Sequence, residues 1–484
     1  MLTRPKFSSV FKLCSFFFLL SWNTTVRSAP VTVDFSKTHQ EIDGFGGSSA
    51  WSGKLTDAMM DGLYKNGPTQ VGFTILRLRI DPKASAWADE KSNATKAKER
   101  GATVFATPWA YPESLTTNNA TVKGYINKGK FASVAAYLKS FWTYCGTDNV
   151  DIISLENEPD YAQSISYEGC TWTAQDFHDF CKTNAPQVGK PIMFPESFGF
   201  NFALSDATLN DAAAAANVKY LGCHLYGSRP KKYTKALDLD KHVWQTEHYF
   251  DNDDAGSCMA FAKELFDCMN NDFSAYVWWW MTYDSRSGGK EALWANDAPN
   301  HRAWVLAQFS KWVRPGYYRV DATYSPQNGV NAVAFKGDSN VVVVMNNSNS
   351  QQSVTFNYSN AKVTTVRKYT SSQSKNGKNE GEIEVSNNSF TTTLDPQSVS
   401  TFLSEGIPTA VLQAFRDEDD VLKNTIVTSG GTDAAAPVIY LINGRRFRSS
   451  GGFIRQSFPQ GIYILNGKVH NSVNVAKSSC VLGK

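Results

Sequence analysis

Eight short, apolar, β-prone segments recur along residues 42–281 and are separated by helix-like stretches. The segments are 42–47, 71–80, 102–110, 150–159, 191–197, 218–227, 242–250 and 273–281. Helical periodicity is clearest in 131–142 and 257–270. Eight strands alternating with helices over roughly 250 residues predict an α/β fold of the closed (β/α)8 TIM-barrel type. An open doubly wound sheet is the main alternative, but its glycine-rich phosphate turn is missing, because "GFGG" lacks the GxGxxG spacing.

Polar and aromatic side chains follow most of these segments, where a barrel places its active-site mouth. The members of this rim are Trp109, Tyr111, Asn157, Glu158, Glu196, His224, Tyr226, Glu247, Tyr249 and Trp278 to Trp280. The chain is also rich in aromatic residues, at 13%. Carboxylates and flat aromatic rings on one rim indicate a site for sugars.

Two glutamates of this rim, Glu158 in "SLENEPDY" and Glu247 in "WQTEHY", end the fourth and seventh predicted strands. Glycoside hydrolysis uses two carboxyl groups that flank the scissile bond, one as proton donor and one ionised. Strand alternation places Glu247 and His248 on opposite faces, so we expect His248 to pack rather than to act. Alternation cannot decide between Asn157 and Glu158, because Pro159 ends their strand.

The sequence resembles glycoside hydrolase family 30, specifically its xylanase-like members. The motifs that carry the resemblance are "EIDGFGGSSAWSG", "ILRLRID", "VFATPW", "LENEPDYA", "FPESF", "GCHLYG", "WQTEHY", "AYVWWW" and "FSKWVRPGYYRVDAT", in family order over residues 31–403. The resemblance implies a retaining mechanism with Glu158 as acid/base and Glu247 as nucleophile, and with Asn157 on the sugar 2-hydroxyl. The other expected substrate-binding residues are Trp51, Trp87, Trp109, His224, Tyr226, Tyr249 and Trp280. No cofactor or metal is expected.

Two positions depart from the family pattern. Glu156 replaces an uncharged residue, and one hypothesis is that its charge raises the pKa of Glu158, since like charges disfavour ionisation. The alternative is a solvated or salt-bridged side chain. Glucuronoxylan-specific members carry an arginine after the eighth strand, where this chain has Met281, Thr282 and Tyr283. Arg286 is a candidate branch contact three residues later, or an exposed loop residue without a special role.

The remaining segments predict a modular secreted protein. Residues 1–29 resemble a signal peptide, 30–40 an N-terminal strand of the side domain, and 41–315 the catalytic barrel. Alternating strands in 316–405 predict a β-sandwich side domain, and 406–436 a linker. Residues 437–484 resemble a type IX secretion sorting domain through "INGRR" and "FPQGIYILNGK", or form a small accessory β domain. Cys170 and Cys181 are a candidate disulfide pair.

We therefore expect a secreted, retaining endo-β-1,4-xylanase without a strict need for glucuronosyl branches. The alternatives are a glucuronoxylan-specific enzyme, another family 30 activity such as β-1,6-glucanase or xylobiohydrolase, and a non-catalytic sugar-binding protein. A net charge of +3 without a basic stripe gives no indication of a nucleic-acid partner. We expect a monomer with a polysaccharide partner and no membrane span, extracellular or attached to the cell surface through its C-terminal tail.

Overall fold

The structure is a computed structural model that describes residues 29–282 and 290–405, together with four short strands between 438 and 471. The predicted signal peptide apart from Ala29, the predicted linker and Arg286 lie outside the described residues.

Eight parallel strands close into a barrel in their order along the chain, as the sequence predicts. In order, the barrel strands are Gly44–Ser48, Ile75–Ile80, Thr103–Pro108, Ile152–Ser154, Ile192–Ser197, Tyr220–His224, His242–Glu247 and Ala275–Trp278. The eighth strand pairs with the first, Ala275 beside Gly44, which completes the ring. All eight predicted segments overlap a barrel strand, so the predicted fold class is confirmed.

Each barrel strand is followed by a helix. The helices are Asp57–Tyr64, Ala88–Glu99, Phe131–Cys145, Ala174–Thr183, Ala203–Asn210, Thr234–Asp238, Ala255–Asn270 and His301–Ser310, with short additions at Ala185–Val188 and Ala212–Ala215. Single 3-10 turns lie at Ala84–Ala86, Glu113–Leu115 and Lys128–Lys130, and two small strand pairs join Gly124–Tyr125 to Cys170–Thr171 and Trp294–Ala295 to Ala298–Pro299. The two clearest predicted helices are present.

The barrel interior is filled at its lower end by apolar side chains. They are Ile75, Phe105, Ile152, Met193, Tyr220, Trp244, Ala275 and Val277. Since side chains alternate along a strand, positions two residues further on point into the upper part of the barrel. The glycines of "GFGG" serve close packing, because a Cβ on Gly46 would lie 1.8 Å from the Ile75 carbonyl oxygen.

A nine-stranded sheet forms the side domain around its own apolar core. Its strands are Val31–Glu41, Tyr318–Ala322, Val330–Lys336, Ser339–Asn346, Gln352–Ser359, Thr365–Ser372, Lys375–Glu384, Ser389–Leu394 and Ser398–Glu405. The N-terminal strand joins this sheet as predicted, antiparallel to Tyr318–Ala322 and parallel to Gln352–Ser359. The side domain bonds to the barrel through pairs such as Gln308 with Thr401.

A separate four-stranded antiparallel sheet follows, with strands Val438–Leu441, Arg446–Arg448, Ile462–Leu465 and Lys468–Asn471. The candidate disulfide is wrong: Cys170 and Cys181 are both free, buried thiols, as are the other four cysteines of the described residues. Cys170 lies in a two-residue strand, whereas Cys181 faces the core from a helix. Within the described part of the chain, no helix is both long and apolar enough to cross a membrane.

Candidate active site

Arg77 forms the charged floor of the barrel mouth. It follows Ile75 by two residues on the second strand, so it points inward above the apolar interior, and it is fully buried. Its Nη1 donates to Glu247 Oε2, and its Nη2 donates to Asn157 Oδ1 at 2.7 Å. Nη2 also lies 2.9 Å from Glu196 Oε2, at an angle that makes this contact an ion pair rather than a hydrogen bond. One guanidinium therefore holds three strand ends together.

Glu247 ends the seventh strand with its carboxylate in the mouth. Trp244 lies inside the barrel, so strict alternation would turn Glu247 outward. The pairing with the sixth strand is irregular between Gln245 and Glu247. Such an irregularity changes the direction of the following side chain, and here it turns Glu247 into the mouth. Glu247 Oε1 accepts from the Tyr226 hydroxyl at 3.0 Å, while Oε2 accepts from Arg77. Both oxygens are thus held in place by hydrogen-bond donors.

Glu158 lies just beyond the fourth strand and is also nearly buried. Its φ of 46° is in the left-handed region, and its backbone N–H donates to the Glu196 carbonyl at 3.0 Å. Oε1 contacts His224 Nδ1 at 2.8 Å. Burial raises the pKa of Glu158, and the nearby charge of Glu247 adds to this, whereas His224 and Arg77 oppose it. The net raised pKa suits a group that must hold a proton.

His224 lies below the cleft rather than on its surface, unlike the expectation that it binds substrate. It is fully buried, with Nδ1 on Glu158 and Nε2 at 3.5 Å from Glu196 Oε2 and 3.9 Å from Glu247 Oε2. Burial lowers the pKa of His224, but Glu247, Glu158 and Glu196 outweigh it and raise the pKa to about 9. His224 is therefore an imidazolium among three carboxyl groups.

Glu196 of the fifth strand is a third buried carboxylate at this site. Oε1 accepts from the Thr107 hydroxyl at 2.7 Å, and Oε2 faces Arg77 and His224. Burial raises the pKa of Glu196, but Arg77 and then His224 outweigh it and lower the pKa to about 2. Glu196 is thus ionised throughout the neutral range.

Glu156 contradicts both sequence-based interpretations. It is fully buried and forms no ion pair with the described residues, and the polar groups beside its carboxyl are the backbone N–H groups of Asn157 and Cys170 and the side chain of Trp172. Burial raises its pKa well above the ordinary value, which favours the neutral form of the side chain. A neutral carboxyl exerts no like-charge effect on Glu158, and the residue that does so is Glu247. A solvated or salt-bridged side chain is equally wrong.

Aromatic side chains line one wall of the mouth. Trp51, 42% exposed, packs edge-on against Trp109 at 5.1 Å and Trp279 at 6.1 Å. Trp109 is buried and covers the Arg77 guanidinium, whose Cζ lies 4.4 Å from the ring centroid. Trp280 stacks on Trp279 at 4.8 Å and donates from Nε1 to the Ala50 carbonyl. Of this cluster, Trp51 presents the largest exposed ring to a ligand.

Two tyrosines form the neighbouring wall. Tyr226 contacts Glu247 through its hydroxyl, and its ring packs on Phe198 at 5.1 Å and Tyr249 at 5.9 Å. Tyr249 is half-buried and also packs on the tryptophan cluster. His248 bonds to Glu264 at 2.8 Å, so it packs on the far side of the strand from the two catalytic candidates, as expected.

Trp87 does not reach the mouth. It is buried against Tyr137, Phe141 and Tyr144, with Nε1 donating to the Asp81 carbonyl at 2.7 Å. The ring therefore belongs to the packing between two barrel helices, and its expected contact with substrate is not present. Arg286, the candidate branch contact, lies outside the described residues.

Glu158, His224 and Glu247 offer oxygen and nitrogen atoms within 4.8 Å of one another, close enough for a metal ion. Their chemistry does not fit one. His224 is cationic and bonded to Glu158, and Glu247 is already paired with Arg77. A metal ligand must be deprotonated and free to donate, so we assign no ion to this cluster.

Sequence reasoning missed Arg77 and the central role of Glu196. Both were visible in motifs, "ILRLRID" and "FPESF". A charged residue at an inward position of a barrel strand was the available signal, because such a charge is costly to bury unless it is paired.

Comparison with known proteins gives a consistent picture. The chain is 36% identical to glucuronoxylanase XynC of Bacillus subtilis over 398 residues, which is 78% of this chain and 92% of that protein. Among solved structures, it is similar to the family 30 subfamily 8 xylanase Xyn30A of Clostridium acetobutylicum, with 42% identity and a TM-score of 0.74. A family 30 endoxylanase of Clostridium papyrosolvens C71 has 36% identity and a TM-score of 0.72. Each alignment covers 78% of this chain and all of the solved chain.

No family model matches the sequence. The similarity to these relatives nevertheless spans the barrel and the side domain at well over a third of positions. With its site of paired glutamates at the barrel mouth, the chain belongs to glycoside hydrolase family 30 and is a glycosidase related to the xylanases of that family.

Proposed function

We propose that this protein is a retaining endo-β-1,4-xylanase in which Glu247 is the nucleophile and Glu158 the acid/base. The observation that carries the proposal is the approach of the two carboxyl groups, whose oxygens come within 4.8 Å of each other. Retaining glycosidases place these groups about 5–5.5 Å apart, whereas inverting ones leave about 6.5–9.5 Å for a water molecule. This close approach is compatible with direct attack by a carboxylate, and the resemblance to the retaining enzymes of family 30 supports that mechanism.

In the first step the Glu247 carboxylate attacks the anomeric carbon, and the bond from that carbon to the leaving oxygen breaks. Glu158 gives its proton to this oxygen, which leaves as a hydroxyl. Arg77 and Tyr226 hold the two Glu247 oxygens, so one lone pair is directed at the sugar. Asn157 Oδ1 accepts a hydrogen bond from Arg77, which leaves the amide N–H groups of Asn157 to donate to the sugar 2-hydroxyl.

In the second step the Glu158 carboxylate takes a proton from water, and the water oxygen attacks the anomeric carbon. The bond to Glu247 breaks, and Glu247 returns to a carboxylate. The imidazolium of His224, 2.8 Å from Glu158, stabilises the ionised form that this step needs. The same residue therefore serves as acid and then as base, as a retaining mechanism requires.

Xylan is the substrate that the relatives support. The Bacillus relative is named a glucuronoxylanase, and the two Clostridium relatives are a xylanase and an endoxylanase. Family 30 xylanases with this extent of similarity make a xylan backbone the first substrate to test.

Branch independence is supported by the residues at the end of the eighth strand. Met281 and Thr282 stand where branch-dependent members carry an arginine, and both are fully buried. Arg77 and Arg79, two arginines at this mouth, are already paired with carboxylates of the chain. A glucuronosyl carboxylate would thus have to compete with Glu247, Asp81 or Glu168.

Azide rescue tests the two catalytic roles separately. Glu158→Ala and Glu247→Ala should each lower kcat on xylan by about 10²–10⁴-fold or more. With an activated aryl β-xyloside, azide should give a β-glycosyl azide with Glu158→Ala and an α-glycosyl azide with Glu247→Ala. Glu113→Ala, which removes an exposed carboxylate, is the control. Reversed azide stereochemistry would exchange the roles, and an α-configured first product from the wild type would exclude retention.

Product analysis tests the substrate. Mass spectrometry of digests of methylglucuronoxylan and of unbranched xylan should show cleavage of both, with products unrelated to branch position. Products that each carry one branch at a fixed position, with unbranched xylan intact, would instead establish branch dependence. Failure on both substrates would redirect the search to β-1,6-glucan.

We also infer that the enzyme is secreted and that its C-terminal β-rich segment acts in sorting. The basic and apolar N-terminal sequence and the "INGRR" and "FPQGIYILNGK" motifs support this inference. Expression in the source cells, followed by terminal sequencing of the extracellular protein, should find residues 1–29 removed. Retention of those residues would argue against secretion by this route.

A further inference from the structure

The two positive charges at the active site need more negative charge than the proposed catalytic pair can supply while Glu158 keeps its proton. Arg77 and His224 are two buried cations that face the same small volume. If Glu158 and Glu247 were the only carboxyl groups beside them, both would be driven to ionise, because unpaired buried charge is costly. An ionised Glu158 has no proton to donate.

Glu196 supplies the missing charge. Its Oε2 lies 2.9 Å from Arg77 Nη2 and 3.5 Å from His224 Nε2, between the two cations. With Glu196 and Glu247 ionised, the two cations are matched, and Glu158 can remain neutral. The titratable groups around Glu196 are Arg77 on the second strand, Glu156 and Glu158 after the fourth, Cys223 and His224 on the sixth, and Glu247 on the seventh.

The local backbone is arranged to put Glu196 in this place. The pairing with the sixth strand is irregular between Pro195 and Ser197, and Glu196 has a φ of 49°. Its carbonyl accepts the Glu158 N–H at 3.0 Å. Gly222 opposite leaves the necessary room, since a Cβ there would lie 2.6 Å from Glu196 Cγ. Strained backbone and a bulge at one buried carboxylate are typical of functional positions.

We propose that Glu196 is a positioning residue that balances the His224 imidazolium and thereby lets Glu158 keep the proton that it donates to the leaving sugar. This inference rests on the proposed roles of Glu158 and Glu247. Glu196 itself does not touch substrate, because it is fully buried behind His224 and Arg77.

The test is the pH dependence of kcat/KM for an unbranched xylo-oligosaccharide with Glu196→Gln. Loss of the negative charge of Glu196 should make Glu158 easier to ionise. The basic limb of the kcat/KM profile should therefore move to lower pH by about 1 pH unit or more. A dinitrophenyl β-xylobioside has a dinitrophenolate leaving group, which needs no proton to depart. On this substrate the loss of activity caused by Glu196→Gln should be at least tenfold smaller than on the xylo-oligosaccharide at the same pH. Thr107→Val removes a hydrogen bond that a neutral hydroxyl donates to Glu196 but removes no charge, so the basic limb of its pH profile should coincide with that of the wild type.

An equal loss at every pH and on both substrates would make Glu196 merely structural and overturn the proposal. If Glu196→Gln does not fold, the protonation state of His224 in the wild-type protein still tests the proposal. In protein labelled with ¹⁵N-histidine, His224 should remain an imidazolium at about pH 8, where an ordinary histidine is neutral. The signal is identified among the seven histidines by its loss in His224→Gln. A neutral His224 at about pH 7 would overturn the proposal.

This spectrum is independent of the substrate. If the wild-type chain leaves the xylo-oligosaccharide intact, the proposed function fails, while the state of His224 still tests the charge arrangement around Glu196.

Discussion

Replacement of Arg77 by methionine should be the most destabilising single change at the barrel mouth. Methionine keeps much of the side-chain length but removes the guanidinium charge that contacts Glu247, Glu196 and Asn157 together. Two carboxylates would then lie within the mouth with His224 as their remaining nearby cation. Breaking a buried ion pair in this way typically costs about 3–5 kcal/mol, because it leaves an uncompensated charge.

The pKa of Glu196 gives an independent value for the free energy of unfolding that depends on these contacts. The folded protein lowers this pKa from the ordinary 4.5 to about 2. A shift of that size corresponds to about 3 kcal/mol of stability at neutral pH. Because the folded pKa is depressed, this stability is present above pH 4.5 and is lost as the pH falls toward 2. Arg77 is the largest single cause that lowers this pKa, so part of the stability depends on it.

Urea unfolding measured by tryptophan fluorescence would test this prediction. Arg77→Met should lower the free energy of unfolding by about 3–5 kcal/mol at neutral pH. The loss should be smaller near pH 5, because without Arg77 burial raises the pKa of Glu196 and lets it take up a proton. Lys65→Met, which removes an exposed pair with Asp61, should cost less than about 1 kcal/mol. Equal losses for the two variants would refute the view that Arg77 neutralises buried carboxylates.

Three further changes separate chemistry, binding and charge at the same site. Tyr226→Phe removes the 3.0 Å hydrogen bond to Glu247 and should lower kcat/KM by about 10–100-fold, with the urea midpoint unchanged; an unaltered kcat/KM would exclude a role for that bond. Trp51→Ala removes an exposed ring and should raise KM for xylan by up to about tenfold with little change in stability, so a stability loss instead would identify Trp51 as core. Glu156→Gln should leave the basic limb of the pH–rate profile in place, because Glu156 is neutral in the folded protein; a displaced limb would show that it carries charge after all.

Most of the fold could be predicted because its signals are local. Most barrel strands are short runs of buried residues, and several of the helices that follow them are amphipathic, so these elements follow from neighbouring residues. The third helix, Phe131–Cys145, is an example: its buried positions include Val134, Leu138 and Phe141, at helical spacing. The side-domain strands follow in the same way from a period of two.

The site could be predicted only in part, since its assembly depends on contacts between distant strands. Glu158 and Glu247 were named from their strand ends, and the structure brings their oxygens within 4.8 Å. His224 was assigned to substrate, but whether a histidine faces a sugar or a carboxylate depends on the neighbouring strands. Trp87 was assigned to the cleft through the family resemblance, yet the helix Phe131–Cys145 covers it.

The backbone explains where strand alternation stops being a guide. Trp51, Glu158, Glu196 and Trp280 have φ values of 56°, 46°, 49° and 41°, and they lie at the ends of the first, fourth, fifth and eighth barrel strands. Such conformations cost of order 1–3 kcal/mol each and persist where the surrounding contacts enforce them. Here the contacts are visible: Glu158 N–H donates to the Glu196 carbonyl, and Trp280 Nε1 donates to the Ala50 carbonyl. A left-handed residue turns its side chain out of the alternating pattern, so Glu158 faces the mouth while Glu156, two residues earlier, is buried without a charge partner. The side chains that most need to point at the substrate are therefore those whose direction the period of two predicts least well.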